Sequence, residues 1–428
     1  MLLRHLSWIV LPILMWGSLA VADRNLVVVN GLGETFDLVN LSDSTVTLGV
    51  DQLGLYPNDF VVSANRGIAI NSGSNDLYFY DMTTLTRVGQ LFVGAGRNPY
   101  NGAFLNADTF YVTNLVASTV TKIDAGDRTV ITEFPVGDNL DSDSPQGIVI
   151  RERRAYICLT SFNELFEYDQ GKLEVWDLSA DTLVKRVTVG VNPQLARFGY
   201  DGYLYILCTG NYADIGGRLF KFDPATLSLI DSLDIGGSPG GLAITKTGVA
   251  FLAAGGWPPP VKRDSRGLQL VERRLARSQQ SGGLVFTVDL ASWSIVHGPS
   301  NPINTCWGVT SALAITDSTV AVCCFADDRL VEIDAQGDVL KSFDVGDGPA
   351  VSAKSPDCLV PKGDADNSGA VSVSDAVYLI NFIFAGGPEP QVEGSGDADC
   401  SGSLSISDAV YLINFIFAGG PPSCGCAD

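Results

Sequence analysis

Histidine is almost absent from this chain. Only His5 and His297 occur in 428 residues. A multi-histidine metal site is therefore excluded, and a serine–histidine–acid triad would rest on His297 alone, since His5 falls in a segment read below as a leader. Positive charge is scarce as well. Lys and Arg number 27 against 48 Asp and Glu, a formal net charge of −21 with a pI near 4.3. Nucleic acid and anionic membrane surfaces are held by basic patches, so this balance argues against both as partners. Beyond residue 22 no apolar run approaches the roughly 20 residues that cross a bilayer. No long helical periodicity runs through the first 355 residues, and no phosphate-cradling glycine motif is present.

What is present begins with a secretory pattern. Arg4 and His5 open it, LSWIVLPILMW is its apolar core, and Ala20-Val21-Ala22 offers a small-residue cleavage site before Asp23. The alternative is an uncleaved anchor, for which the run is short. Residues 1–22 are thus expected to be a signal peptide, and the mature chain secreted, extracellular or associated with a cell surface, without a membrane span. That compartment permits disulfides, and the cysteines number nine. Cys358, Cys400, Cys424 and Cys426 gather near the C-terminus, and a clasp from Cys358 to Cys424 or Cys426 is one arrangement. Cys158, Cys208, Cys306, Cys323 and Cys324 lie earlier. Spacing does not fix the connectivity. Adjacent residues on a strand face opposite ways, so Cys323 and Cys324 should not share a partner site.

From about 24 to 355 the chain repeats with a period near 45. Seven apolar strand starts recur: LVVVN at 26, IAIN at 68, YVTN at 111, YICLTS at 156, YILCTG at 205, FLAAG at 251 and VAVCC at 320. Each is followed by a second strand ending near Asp, as in YFYDMTT, TKIDAGD and FKFDPAT. A third often closes on V-G-x-x-P, as in Val189 to Pro193 and Val345 to Pro349, and a fourth follows, such as GIVI at 147. Four short strands per 40–45 residues are the pattern of a propeller blade, so the spacing predicts an all-β seven-bladed propeller over 23–355. The N-terminal strand near Leu26 should close the ring beside the last blade. A long insertion, 257–283, interrupts blade six and carries Lys262, Arg263, Arg266, Arg273, Arg274 and Arg277. It reads either as a loop contacting an acidic or glycan ligand or as a solvated excursion. The motif YVTNLVASTVTKID with its turn-Asp and V-G-x-x-P units resembles the YVTN-repeat propellers, a secreted and surface group. That likeness implies the fold and leaves the chemistry open.

The last 70 residues are of another kind. GDADNSGAVSVSDAVYLINFIFAGGP from Gly363 returns from Gly396 as GDADCSGSLSISDAVYLINFIFAGGP; of 26 aligned positions four differ, leaving 22 identical. Calcium takes six to eight oxygens, and a loop supplies them from alternate positions around a turn glycine. The first loop, 364–375, offers Asp364, Asp366, Ser368, the carbonyl of Ala370, Ser372 and Asp375, with Gly369 at the turn. The second, 397–408, offers Asp397, Asp399, Ser401, the carbonyl of Ser403, Ser405 and Asp408, with Gly402 at the turn. Two calcium ions are expected. Pro361, Pro390, Gly394 and Gly396 keep a helix from entering either loop, unlike an ordinary EF-hand, and position twelve is Asp rather than Glu.

Tandem loop-and-exit-helix units with Asp at twelve resemble type I dockerin repeats over about 360–422. The resemblance implies a small α, F-hand domain over 356–428 that docks onto a cohesin-like or other extracellular protein. It places partner contacts on Val373, Ser374, Ile380, Asn381 and Ala385, and on Ile406, Ser407, Ile413, Asn414 and Ala418. Many dockerins carry basic residues late in these helices, where this chain has Asn and Ala.

No catalytic residue is assigned. Paired carboxylates in Asp138-Asn-Leu-Asp-Ser-Asp143 and in Asp327-Asp328 are the candidates for glycosidase-type chemistry, and acidic turns are the plainer reading of both. Two functions follow. One is a secreted, non-catalytic binding propeller tethered by its dockerin-like module. The other is a polysaccharide-active hydrolase or lyase, or an accessory protein, of an extracellular glycan-degrading assembly, with a glycan as ligand. Carboxylates converging at a propeller mouth would favour the second; a mouth lined by backbone and by Asn30, Asn71 and Asn114 would favour the first.

Overall fold

The structure is a computed structural model. It describes residues 25–63, 65–138, 143–163, 165, 167–255, 283–354, 362–366, 371–390, 395–399, 401 and 403–420. The signal-like segment, the basic insertion up to residue 282 and Cys358, Cys400, Cys424 and Cys426 lie outside these. Among the described residues no helix is long and apolar enough to cross a membrane.

Seven antiparallel sheets form a seven-bladed β-propeller. Each is a meander whose innermost strand touches the innermost strands of its two neighbours, so these strands ring a central channel. They are Pro349–Lys354, Pro57–Ser63, Pro99–Asn106, Asp143–Arg151, Pro193–Phe198, Gly241–Ile244 and Val309–Ala314, in blades one to seven. Four of the seven start at proline. An inner strand has a free edge toward the channel, so a missing N–H costs it no ladder bond.

The sequence unit is out of phase with the blade by one strand. LVVVN and its six counterparts are second strands, and the fourth strand of each unit is the inner strand of the next blade. The V-G-x-x-P motif is therefore the crossover between blades. Ring closure follows from this offset. The last strand, Pro349–Lys354, pairs with the first, Asn25–Asn30, with Leu26 opposite Lys354 and Val29 opposite Val351. The N-terminal strand stays in blade one, and the C-terminal strand crosses to it.

Each blade is buried on both faces. The second strands carry patterns such as LVVVN and TVAVCC with every residue buried, because seven apolar clusters fill the seven gaps between blades. Alternate residues go to alternate gaps. Cys324 packs in the gap between blades six and seven and is bonded to Cys306, whereas Cys323 packs in the gap between blades seven and one. The two adjacent cysteines thus serve different sites, as their alternation predicts. Cys158, Cys208 and Cys323 are free and buried. Burial pushes the Cys158 thiol up to about 12 and the Cys323 thiol up to about 11.

The repeated turn-Asp has one job. Asn40, Asp81, Asp124, Asp177, Asp223, Asp289 and Asp334 each accept a backbone N–H two residues on, which closes the hairpin between third and fourth strands. The V-G glycine is held in two crossovers by a buried carboxylate of the following blade. Gly346 donates to Asp37 at 2.7 Å and Gly137 to Glu174 at 2.9 Å. Glu174 also takes Trp176 Nε1 and the guanidinium of Arg186, so all its neighbours are donors.

Blade six departs from the pattern. Its outer strand Ser294–His297 is short, and Ile303–Asn304 completes the sheet edge beside Leu284–Asp289. The Cys306–Cys324 bond pins the crossover that follows. It spans 18 residues, a loop length whose closure is worth about 3 kcal/mol in the chain-entropy model. Replacing both cysteines by alanine should lower unfolding stability by about 2–4 kcal/mol, read as a lower midpoint in guanidinium at an unchanged slope.

Candidate functional site

The two calcium-type loops fold alike. Each ends in a 13-residue helix, α1 (Val373–Ala385) and α2 (Ile406–Ala418). Position nine, Ser372 or Ser405, is the N-cap, and position twelve, Asp375 or Asp408, closes a capping box on it. Gly386 and Gly419, both at φ 69°, end the helices in the left-handed conformation that glycine tolerates. The capping box aims the carboxylate of position twelve back into the loop. There Asp375 Oδ1 accepts the Asp366 N–H at 3.1 Å, and Asp408 Oδ1 accepts the Asp399 N–H at 3.2 Å.

The result is two acidic triads. Asp364, Asp366 and Asp375 present carboxylate oxygens within 4.8 Å of one another, and so do Asp397, Asp399 and Asp408. Ligands on opposite sides of a calcium ion stand about 5 Å apart, so both triads fit a divalent cation bound through oxygen. In the second loop the Ser401 hydroxyl lies 3.2 Å from the Ser403 carbonyl, so positions five and seven also converge. Ser368 and Ala370, their counterparts, lie outside the described residues. The position-nine hydroxyls accept the N–H of Ser374 and Ser407 as caps. Burial, and then the charges of Asp366 and Asp364, push the Asp375 carboxyl up to about 6; burial raises Asp408 likewise. A cation relieves that repulsion.

The loops differ in one respect. Lys362 Nζ lies 3.0 Å from Asp397 Oδ2, so the first ligand of the second loop is already paired. Lys362 stands two residues before the first loop; at the matching place before the second loop stands Ser395, whose carbonyl accepts the Gly363 N–H at 2.6 Å.

The helices bury only Ala376 and Leu379, and Ala409 and Leu412, as apolar contacts between the repeats, with the loop alanines Ala365 and Ala398. All ten residues assigned to a partner face are exposed. Val377 and Val410, and Phe384 and Phe417 at 69 and 70% exposure, lie on the same faces at helical spacing. A groove of about 590 Å³ runs along α2 between Ser407, Val410, Ile413, Asn414 and Phe417. Tyr378, Phe382, Tyr411 and Phe415 are half-buried and contribute less. The i, i+4 spacing from Val373 to Val377 and from Ile406 to Val410 is the signal by which sequence could have added the two valines.

In the propeller the proposed acidic pairs serve structure. Asp143 is buried and ion-paired with Lys172, which also pairs with Asp138. Asp327 accepts the Trp307 N–H and Asp328 the Gly348 N–H. Asn30, Asn71 and Asn114 are fully buried and brace the hairpins of their own blades through Thr35, Asp76 and Thr119; they do not line a mouth. His297 ends the outer strand of blade six and shares a hydrogen bond with Thr287 at 2.8 Å.

A different cluster faces the channel. Asp59 on the inner strand of blade two accepts from Asn101 Nδ2 on blade three, whose Oδ1 accepts the Ile148 N–H of blade four. Arg197 on blade five is near enough for their charges to interact, yet among the described residues no ion pair joins them. Nearby in blades four and five, Tyr168 and Tyr212 stand 5.8 Å apart, with Gln194 donating to the Tyr212 hydroxyl at 2.8 Å. Burial first, then the nearby charges of Tyr212, Asp59 and Tyr168, pushes the Tyr100 phenol up to about 12.

Burial pushes the Asp59 carboxyl up to about 6, against the opposing pull of Arg197 and three hydrogen bonds. A group whose folded value is raised adds stability below its unfolded value, near 4, and loses it as pH rises through 6. Asp59→Asn should therefore stabilise the propeller at pH 7.5 by about 1–3 kcal/mol and have little effect at pH 4, as read from denaturant unfolding at both values. No protein-family model matches this chain, and no curated protein matches it. Among solved structures, hydrazine synthase of Kuenenia stuttgartiensis aligns with a TM-score of 0.53 at 15% identity, covering 69% of this chain and 88% of its own. A quinonprotein alcohol dehydrogenase-like protein from Bacteroides thetaiotaomicron aligns with a TM-score of 0.54 at 16% identity, covering 78% and 79%. At such identities the likeness is one of fold: the large domain is a β-propeller.

Proposed function

We propose that this is a secreted calcium-binding protein whose C-terminal module, of dockerin type, docks onto a cohesin-like or other extracellular protein and displays the propeller as a binding domain. The observation that carries this reading is the doubled acidic triad, each copy capping a helix whose apolar face is exposed. Calcium would be held by Asp364, Asp366, Asp375 and by Asp397, Asp399, Asp408, with hydroxyl and carbonyl oxygens of the same loops completing each shell. The ion would fix the loop, the loop fixes the helix through its capping box, and the helix presents the face. The resemblance of the large domain to YVTN-repeat propellers agrees with an extracellular setting.

The glycan-directed alternative draws on one observation, the channel cluster. Tyrosine faces, an amide pair, a carboxyl and a guanidinium suit a sugar's hydroxyls and apolar ring face. Only one carboxyl, Asp59, stands there among the residues described, so this favours glycan recognition over two-carboxylate hydrolysis.

Two experiments test the reading. The full chain carrying Asp364→Ala with Asp397→Ala should lose calcium binding in titration calorimetry; retained stoichiometry at unchanged affinity would show the ligand assignment to be wrong. Docking is tested by capturing extracellular proteins with the full chain at millimolar calcium and in chelator. Since the repeats present nearly equal faces, changing Val377 and Phe384 to serine should weaken capture modestly. Adding Val410→Ser and Phe417→Ser should abolish it. Capture that is indifferent to calcium, or lost already in the first variant, counts against two equivalent docking faces.

A further inference from the structure

Between blades two and three, on the propeller face opposite the tyrosine cluster, lies a cavity of about 220 Å³. Its walls are part apolar and part polar. Ile68, Phe79 and Val88 form the apolar side, and Arg66 and Arg128 enter from two different turns. Arg66 begins the second strand of blade two. Its Nη2 pairs with Asp108 at 3.2 Å, but its Nη1 is buried with no hydrogen-bond partner. Arg128 is half-buried at the hairpin turn of blade three, and among the described residues it makes no ion pair or hydrogen bond. The acid that lines the cavity, Asp81, has Oδ1 committed to the N–H groups of Thr83 and Thr84.

The propeller supplies its own control. Two blades on, Arg154 occupies the place of Arg66: each opens a second strand opposite the turn-Asp of its blade. Arg154 Nη1 donates to the Pro224 carbonyl of the next blade, so its guanidinium is used to tie two blades together. The place of Arg128 is taken there by Leu227, at nearly the same left-handed φ, 53° against 58°, and Leu227 packs into the apolar cluster between blades four and five. At blades two and three the same frame has an arginine where a leucine closes the gap, and a donor left without its acceptor. The outer strand makes room for this. A Cβ at Gly89 would stand 2.5 Å from Arg128 Cδ, so glycine is required for the arginine to lie as it does. Two guanidinium groups thus face the cavity beside two carboxylates, Asp108 paired with Arg66 Nη2 and Asp81 turned to its own hairpin, and Arg66 Nη1 and Arg128 remain as the uncommitted donors.

We propose that this cavity is a binding site for a small organic monocarboxylate, with the carboxylate between Arg66 Nη1 and Arg128 and the apolar body against Ile68, Phe79 and Val88. Guanidinium geometry matches a carboxylate with paired N–H donors. An apolar cavity of about 150 Å³ admits benzene, so 220 Å³ admits a ring with one carboxylate and little more. Benzoate is therefore the probe.

The test is titration calorimetry, or ligand-observed NMR, on the full chain with benzoate, benzamide and inorganic phosphate. Benzoate should bind saturably with one site per chain. Benzamide lacks the charge and phosphate lacks the apolar body, and each should bind at least tenfold more weakly. Arg128→Leu, which installs the residue blade five carries, should weaken benzoate tenfold or more without lowering the thermal midpoint. Arg218→Leu, at the exposed start of an otherwise largely buried strand of blade five, should leave binding unchanged. The absence of saturable benzoate binding, an Arg128→Leu variant that binds as the parent does, or phosphate binding as tightly as benzoate would each overturn the assignment.

Discussion

The pairing of Asn25–Asn30 with Pro349–Lys354 is the constraint on which the propeller depends. A blade cannot stand alone, because its second strand is apolar on both faces and needs a neighbour on each side. A linear row of seven blades would leave the outer faces of the first and last uncovered. Closing the row into a ring removes both exposed faces at once, and the bond between the chain's first and last strands does this in one sheet. The two clusters flanking blade one depend on it directly: Val28 and Leu26 pack toward blade seven, and Val27 and Val29 toward blade two.

With apolar burial nearly equivalent around the ring, individuality comes from polar and geometric departures. The seven turn carboxamides or carboxylates do the same work in every blade. By contrast Glu174, Asp143, Lys172 and Arg186 form a charged network at one gap only. Blade six gains a disulfide and a split outer edge. Blades two and three gain a cavity with two arginines. Asp59 and Arg197 place charge in the channel, where desolvation acts against it, and Asn101 donates to Asp59. Departures that cost stability without closing a gap are the ones that point to ligands.

The C-terminal module follows a different logic. Two 13-residue helices share a few buried alanines and leucines, which is too small a core to cover both helices. Order is supplied at the N-terminal ends, where one aspartate per repeat serves both the capping box and the acidic triad. Sharing one carboxylate between cap and triad ties helix position to the geometry of the loop. The apolar residues that the core does not cover, ending at Phe384 and Phe417, are then held on a fixed frame.

Much of this was legible from residue order. Seven strand starts with a period near 45 determined seven blades, because a repeat that cannot bury its own faces has to stack. The spacing of Asp, Ser and Gly determined which carboxylates meet in each loop, because a twelve-residue loop brings its alternate positions to one centre whatever surrounds it. The alternation at Cys323 and Cys324 determined that they part. Sequence did not determine the phase between repeat and blade, which depends on how the chain's ends pair, a contact between residues more than 300 positions apart. It read Asn30, Asn71 and Asn114 as candidates for a mouth, and only the fold turned them inward to brace hairpins. It picked out Asp138 to Asp143 and Asp327-Asp328 by adjacency, whereas charge in the channel comes from Asp59 and Arg197 on two blades, with the neutral amide of Asn101 from a third. Arg66 and Arg128 carry no local signal at all. Their meeting depends on two turns from neighbouring blades facing one gap, and on Gly89 leaving space between them, and such packing between distant segments is written in no single stretch of sequence.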